Sequence, residues 1–128
     1  MEHKTNPVIW FEIYVDDMSR ARKFYETVLS VTLQNLTTDK SDMMDYFMFP
    51  WEEKAAGSSG ALVKMKEVSP GGNGTMVYFA SEDCEKEQNR VSAAGGEVLK
   101  PKFPIGEHGF ISICRDTEGN VFGLHSMK

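Results

Sequence analysis

Residues Phe11–Leu29, "FEIYVDDMSRARKFYETVL", decide how the chain is read. The stretch continues a run from Val8 that is rich in β-branched and aromatic residues, so Val8–Val15 is predicted to be a strand. Asp16 and Asp17 follow and offer helix N-caps. From Met18 the apolar residues change period: Met18, Ala21, Phe24, Tyr25, Val28 and Leu29 form one helical stripe, and Arg20, Arg22, Lys23 and Glu26 fall mostly outside it. A strand that feeds a helix through a two-aspartate turn is the opening of a βα unit.

Outward from that unit, Val31–Leu36 resumes a strand pattern and Asp45–Phe49 is a third strand, stopped by Pro50. Pro50–Gly60 reads as a loop, either a lid carrying Trp51 or a disordered connection, and Ala61–Lys66 is a fourth strand. Pro70 and glycines 71, 72 and 74 then mark the clearest linker. After it the order begins again. Thr75–Ala80 is a strand. Ser81–Ala94 is a helix capped by Ser81 or Glu82 and ended by Gly95-Gly96. Glu97–Phe103 and Gly109–Arg115 are extended. "DTEGN" turns the chain into Val121–Ser126. Each half therefore reads strand–helix–strand–strand–strand, with little residue identity between halves. The fold class is α+β, built as module one (7–66), a linker (67–74) and module two (75–126) of one domain.

The chain has 128 residues and a formal net charge of −5, and its basic residues do not cluster. That argues against nucleic acid as a partner, which needs a positive footprint, and leaves room for a cationic ligand. No apolar run approaches the ~20 residues of a membrane span. The opening "MEHKTNPV" lacks the apolar region of a secretory signal, so a cytoplasmic location is expected. Cys84 and Cys114 fit that compartment as free thiols. Cys84, placed in a helix's first turn, is either a reactive thiolate or a small packed residue.

Three stretches in order resemble the vicinal oxygen chelate superfamily, which includes glyoxalase I, extradiol dioxygenases and bleomycin-resistance proteins. They are "FEIYVDDMSRARKFYETVL", "VYFASEDCEKEQNRVSAAGGEV" and "RDTEGNVFGLHS", and the similarity runs from about residue 7 to 126. The resemblance implies two tandem βαβββ modules curling around a shared cavity, and often a homodimer. It also implies a divalent metal held by one His or Glu from each cavity-facing strand. Carried over residue by residue, those positions are Trp10, Met76, the ligand-free strand "GALVKM", and Gly123. No expected ligand is present, so neither a metal nor another cofactor is expected. His3, His108 and His125 have no metal-ligand spacing either.

Strand alternation and the resemblance together assign the cavity lining. Trp10, Glu12 and Tyr14 share one face of the first strand; Met76, Tyr78 and Ala80 one face of its counterpart; Val121, Gly123 and His125 one face of the last. Leu62 and Lys64 are expected to face inward too. Ligand-binding residues are then Trp10, Tyr14, Lys64, Met76, Tyr78 and Gly123, with His108 at the rim in "PIGEHGF". Candidate catalytic residues are Glu12, as a general base among aromatics, and His125. Each has a plainer reading. Glu12 bonds Lys64 or a backbone amide, His125 is simply hydrogen-bonded, and Trp10 with Tyr78 fills the space of the missing metal shell. At Gly123 the small residue leaves room for the Trp10 indole or for a ligand.

The function expected is metal-independent binding of a small organic ligand in an aromatic-lined cavity, as in bleomycin-resistance-type relatives. The alternatives are a metal-free lyase or isomerase using Glu12, or a metal-dependent glyoxalase or dioxygenase with a non-standard site.

Overall fold

The computed structural model describes residues 5–37, 44–72 and 74–128; His3 lies outside them. The element order is β1 (Val8–Tyr14), α1 (Met18–Leu29), β2 (Gln34–Asn35), β3 (Met44–Met48), β4 (Ser59–Met65), β5 (Thr75–Ala80), α2 (Cys84–Val91), β6 (Glu97–Pro104), β7 (Phe110–Arg115) and β8 (Val121–Ser126), with one 3-10 turn at Gly106–His108. Helices and strands thus alternate twice in the same order, and the fold is α+β. By packing, the chain divides into Trp10–Thr75 and a second unit of Met76–Lys128 joined by the residues up to Ile9.

In the Trp10–Thr75 unit the strand order is β2-β3-β4-β1. β1 and β4 run parallel, and β3 is antiparallel to both β4 and β2. α1 starts where Asp17 accepts from the Arg20 N–H at 3.0 Å, and ends at Ser30, whose left-handed φ of 55° turns the chain. The Glu26 carboxylate then takes the Leu33 N–H at 2.8 Å. That bond uses a donor a ladder would have used, and only Gln34–Asn35 of the expected 31–36 strand forms. The core under α1 holds Val15, Met18, Leu33, Phe49 and Leu62, with Phe11, Ile13, Ala21, Tyr25 and Phe47 packed on it. Phe49 meets Phe11 and Tyr25 at centroid distances of 5.6 and 5.8 Å. Leu62 is wholly buried, so truncation to alanine costs about 2–5 kcal/mol.

Two expectations fail in this unit. The apolar stripe of α1 is only partly covered: Met18, Ala21 and Tyr25 pack inward, whereas Phe24, Val28 and Leu29 are 58, 62 and 53 % exposed. The stripe is wider than the strip the sheet can cover. And Leu62 does not face away from the helix. Its register partner Ile13 sits in the α1 core, and residues opposite one another in a ladder share a face. Lys64, two residues on, lies on that same α1 side, opposite Asp45 and exposed.

The second unit repeats the topology as β5-β8-β7-β6, with β5 and β8 parallel and the other pairs antiparallel. α2 is capped by Asp83, not by Ser81 or Glu82. Asp83 accepts from the Glu85 N–H, and Ser81 Oγ in turn takes the Asp83 N–H at 3.0 Å. The Cys84 N–H donates to Ser126 Oγ at 3.0 Å, tying the helix start to the end of β8. Lys102 ties the helix to β6 through its N–H to Gln88 and its ammonium to Asp83 at 2.9 Å. Cys84, Cys114 and Leu124 form the core, with Phe79 and Phe122 packed against them. Both thiols are fully buried, so Cys84 is a packed residue, and burial pushes the Cys114 thiol up. Gly119 (φ 86°) makes the β7–β8 turn, with Asp116 accepting from the Asn120 and Glu118 N–H groups. β6 pairs irregularly with β7, slipping register twice between Val98 and Phe103.

Candidate functional site

On the face of β1 turned from α1, alternation brings Trp10, Glu12 and Tyr14 together. One more residue joins them. Tyr46 on β3 lies in register with Val63 of β4, itself the partner of Tyr14, so the four side chains share a face. The Trp10 Nε1–H donates to Tyr46 Oη at 3.0 Å. The Tyr46 hydroxyl donates to Glu12 Oε2 at 3.1 Å, and the Tyr14 hydroxyl donates to Glu12 Oε1 at 2.7 Å. Burial, and then the charge of Glu12, push both phenols well above the ordinary range, so they remain proton donors. The carboxylate is therefore clasped between two phenols, and Lys64 lies on the opposite face of the sheet.

Tyr46 was absent from the expected lining. A signal for it existed: Phe47 and Phe49 are core residues, and alternation places Tyr46 opposite them. What the sequence lacked was the register that sets β3 beside β4.

Beside this cluster, where β1 meets the start of α1, lies a shallow hollow of about 260 Å³ lined by Ile13, Tyr14, Asp16, Arg20, Tyr25 and Pro70 among others. Asp17 at its edge is committed to capping the helix.

In the second unit, Met76 and Tyr78 are buried and Tyr78 pairs with Gly123. The Tyr78 ring lies directly over Gly123: a Cβ built there would meet Cε2 at 2.5 Å. The space at this glycine is filled by the tyrosine on the neighbouring strand. His125 Nε2 bonds the His108 carbonyl at 2.6 Å, which makes Nε2–H the donor and fixes the ring. The His108 side chain is 77 % exposed and sits 3.9 Å from the exposed Glu107. His125 is thus a brace between β8 and the 3-10 turn, and the imidazole of His108 points to solvent.

The chemistry at the expected ligand positions does not suit a divalent metal. Trp10 presents a donor already used, Met76 a buried thioether, and Gly123 no side chain and no room. β4 offers Leu62 on the far side. Among the described residues, no three His, Cys, Asp or Glu side chains lie close enough to share an ion. No helix among them is long and apolar enough to cross a membrane.

The comparisons agree with this geometry at the level of the fold. A protein from Mycobacterium tuberculosis named "Putative glyoxylase CFP32", and its Mycobacterium bovis counterpart, are 26% identical over 95% of this chain; the chain spans 44% of their length. Among solved structures, a hypothetical protein from Bacillus halodurans superposes with a TM-score of 0.72 at 16% identity, covering 98% of this chain and 96% of that one. A variant of Streptomyces coelicolor methylmalonyl-CoA epimerase, in complex with 2-nitronate-propionyl-CoA, superposes with a TM-score of 0.65 at 14% identity, covering 94% and 96%. The family model described as Glyoxalase/Bleomycin resistance protein/Dioxygenase superfamily matches residues 8–124, and the chain belongs to that superfamily.

Proposed function

We propose that the protein binds a small organic ligand, without a resident metal, on the aromatic face formed by Trp10, Tyr14 and Tyr46 around Glu12. The observation that carries the reading is the Glu12 carboxylate held between two phenolic hydroxyls, with an indole braced beside it. Aromatic walls around a few fixed polar groups are the usual make-up of a small-molecule site. Solved structures of the same fold hold acyl-CoA-type small molecules, which supports the class of partner. The reading includes sequestration of the bleomycin-resistance type, modules at 7–66 and 75–126, a cytoplasmic location and a homodimer.

The same bonds weigh against Glu12 as a general base. A general base must reach the substrate proton directly, and both Glu12 carboxylate oxygens already accept hydrogen bonds from phenols. A panel of planar organic molecules screened by thermal shift and then by calorimetry tests the binding reading. Trp10→Ala is expected to weaken the best ligand roughly 5- to 10-fold, the worth of one aromatic contact. Affinity unchanged in that variant would place the ligand elsewhere and refute the site.

A further inference from the structure

We propose that the hollow beside the start of α1 binds a small zwitterion, an α-amino acid with an apolar side chain, with Asp16 taking the ammonium group and Arg20 the carboxylate. This site is separate from the Trp10–Glu12–Tyr46 face and does not depend on it.

The pair Asp16-Asp17 raises the question. One aspartate suffices to begin a helix, and Asp17 does so, accepting the Arg20 N–H at 3.0 Å. Asp16 is left over. Its side chain lines the hollow, and among the described residues it makes no hydrogen bond or ion pair. Two other polar groups on the lining are unspent in the same sense. The Arg20 guanidinium makes no hydrogen bond and meets Asp17 only at 4.0 Å, the outer limit of an ion pair. The Tyr25 hydroxyl also lacks a hydrogen bond, while its ring is packed edge-on against Phe49 at 5.8 Å.

The rest of the lining is mostly apolar and is held in place by the sheet. The Val15 N–H donates to the Val63 carbonyl at 2.9 Å, and the Tyr14 N–H to the Gly74 carbonyl at 2.7 Å, which ties the chain close after Pro70 to β1. The volume of about 260 Å³ falls below the ~300–1,000 Å³ of sites for drug-sized molecules, so the occupant is small. A simple cation would satisfy Asp16 and face the like charge of Arg20; a simple anion would do the reverse. A molecule that carries both charges beside a hydrocarbon part satisfies both groups and covers the apolar surface between them.

Three probes that share one hydrocarbon part test this. L-leucine carries both charges, isoamylamine is leucine without its carboxylate, and isocaproate is leucine without its ammonium group. Each is titrated into the isotope-labelled full chain and followed by the shifts of its backbone amide signals. Leucine is expected to bind with a Kd on the order of 1 mM, about 10-fold tighter than either fragment, with the shifts centred on Asp16, Arg20 and Ala21. Asp16→Asn should weaken leucine and isoamylamine about 3- to 10-fold and leave isocaproate unchanged. Arg20→Gln should weaken leucine and isocaproate by a similar factor and leave isoamylamine unchanged. Both side chains are exposed, so both variants fold. Leucine bound no tighter than its fragments overturns the zwitterion assignment. Shifts confined to other parts of the chain, affinities indifferent to both variants, or no binding by any probe overturns the site. Each of these results leaves the aromatic face to be decided by Trp10→Ala.

Discussion

Replacing Gly123 with alanine adds one methyl group at the most crowded glycine of β8. The new Cβ would meet the Tyr78 ring, with Cε2 at 2.5 Å and Cδ2 closer still. Tyr78 is only 8 % exposed, so its ring has little freedom to swing away. Forcing a methyl into a packed site costs about 1–3 kcal/mol. Against this, alanine restricts the unfolded chain more than glycine does and recovers about 0.5–1 kcal/mol. The net expectation is a loss of about 0.5–2 kcal/mol, or a Tm lower by about 2–8 °C for a chain of this size. The decisive measurement is a double-mutant cycle by urea unfolding. Tyr78→Ala alone should cost about 3–5 kcal/mol. In that background the alanine at 123 should become neutral or stabilising, for a coupling energy of about 1–3 kcal/mol. If Gly123→Ala is equally harmful with and without the tyrosine, the ring does not explain the glycine and the reasoning fails.

Other consequences are as direct. Because Tyr14 and Tyr46 have raised folded-state values, their contribution to stability is full below the ordinary phenol range and is lost as pH rises beyond it; alkaline absorbance titration, compared with that of Tyr14→Phe and Tyr46→Phe, should show both hydroxyls ionising only with unfolding. Either one ionising while the chain is still folded would show the cluster is not formed. Asp83 is held low by its bond to Lys102, so its contribution is present at neutral pH and lost as pH falls through the lowered value; Lys102→Met should flatten the acid side of the stability curve, and an unchanged acid limb counts against the pair. Asp17→Ala should cost about 1 kcal/mol by removing the α1 cap, measured by urea midpoint, and no change would mean that another group caps the helix.

Much of this was legible in the sequence, because period and punctuation are local. The switch from alternation to helical spacing at Asp16-Asp17 located β1 and α1, and the glycines around 71–74 and 95–96 marked the repeat. The sorting of Phe11, Ile13 and Val15 from Trp10, Glu12 and Tyr14 held for the same reason. What failed depended on pairing between distant residues. Lys64 could be placed on the α1 side only once Leu62 was known to lie opposite Ile13. Tyr46 joined Glu12 only through the alignment of β3 on β4, and Tyr78 covered Gly123 only through that of β5 on β8. The exposed Phe24 and Val28 belong here too: a stripe shows what can be buried, and the width of the sheet beneath decides how much is.

β6 has a last consequence, for behaviour at high concentration. It ends the strand order of its unit, and a flat edge with free N–H and C=O groups is a template on which other chains can polymerise. Here the edge carries Pro101 and Pro104, which have no N–H to give, and Lys100 and Lys102, while two slips in register bend it out of line. A strand arriving from another molecule finds no continuous ladder to extend. The irregularity that spoils the pairing of β6 with β7 is thus also what keeps this edge from seeding fibres.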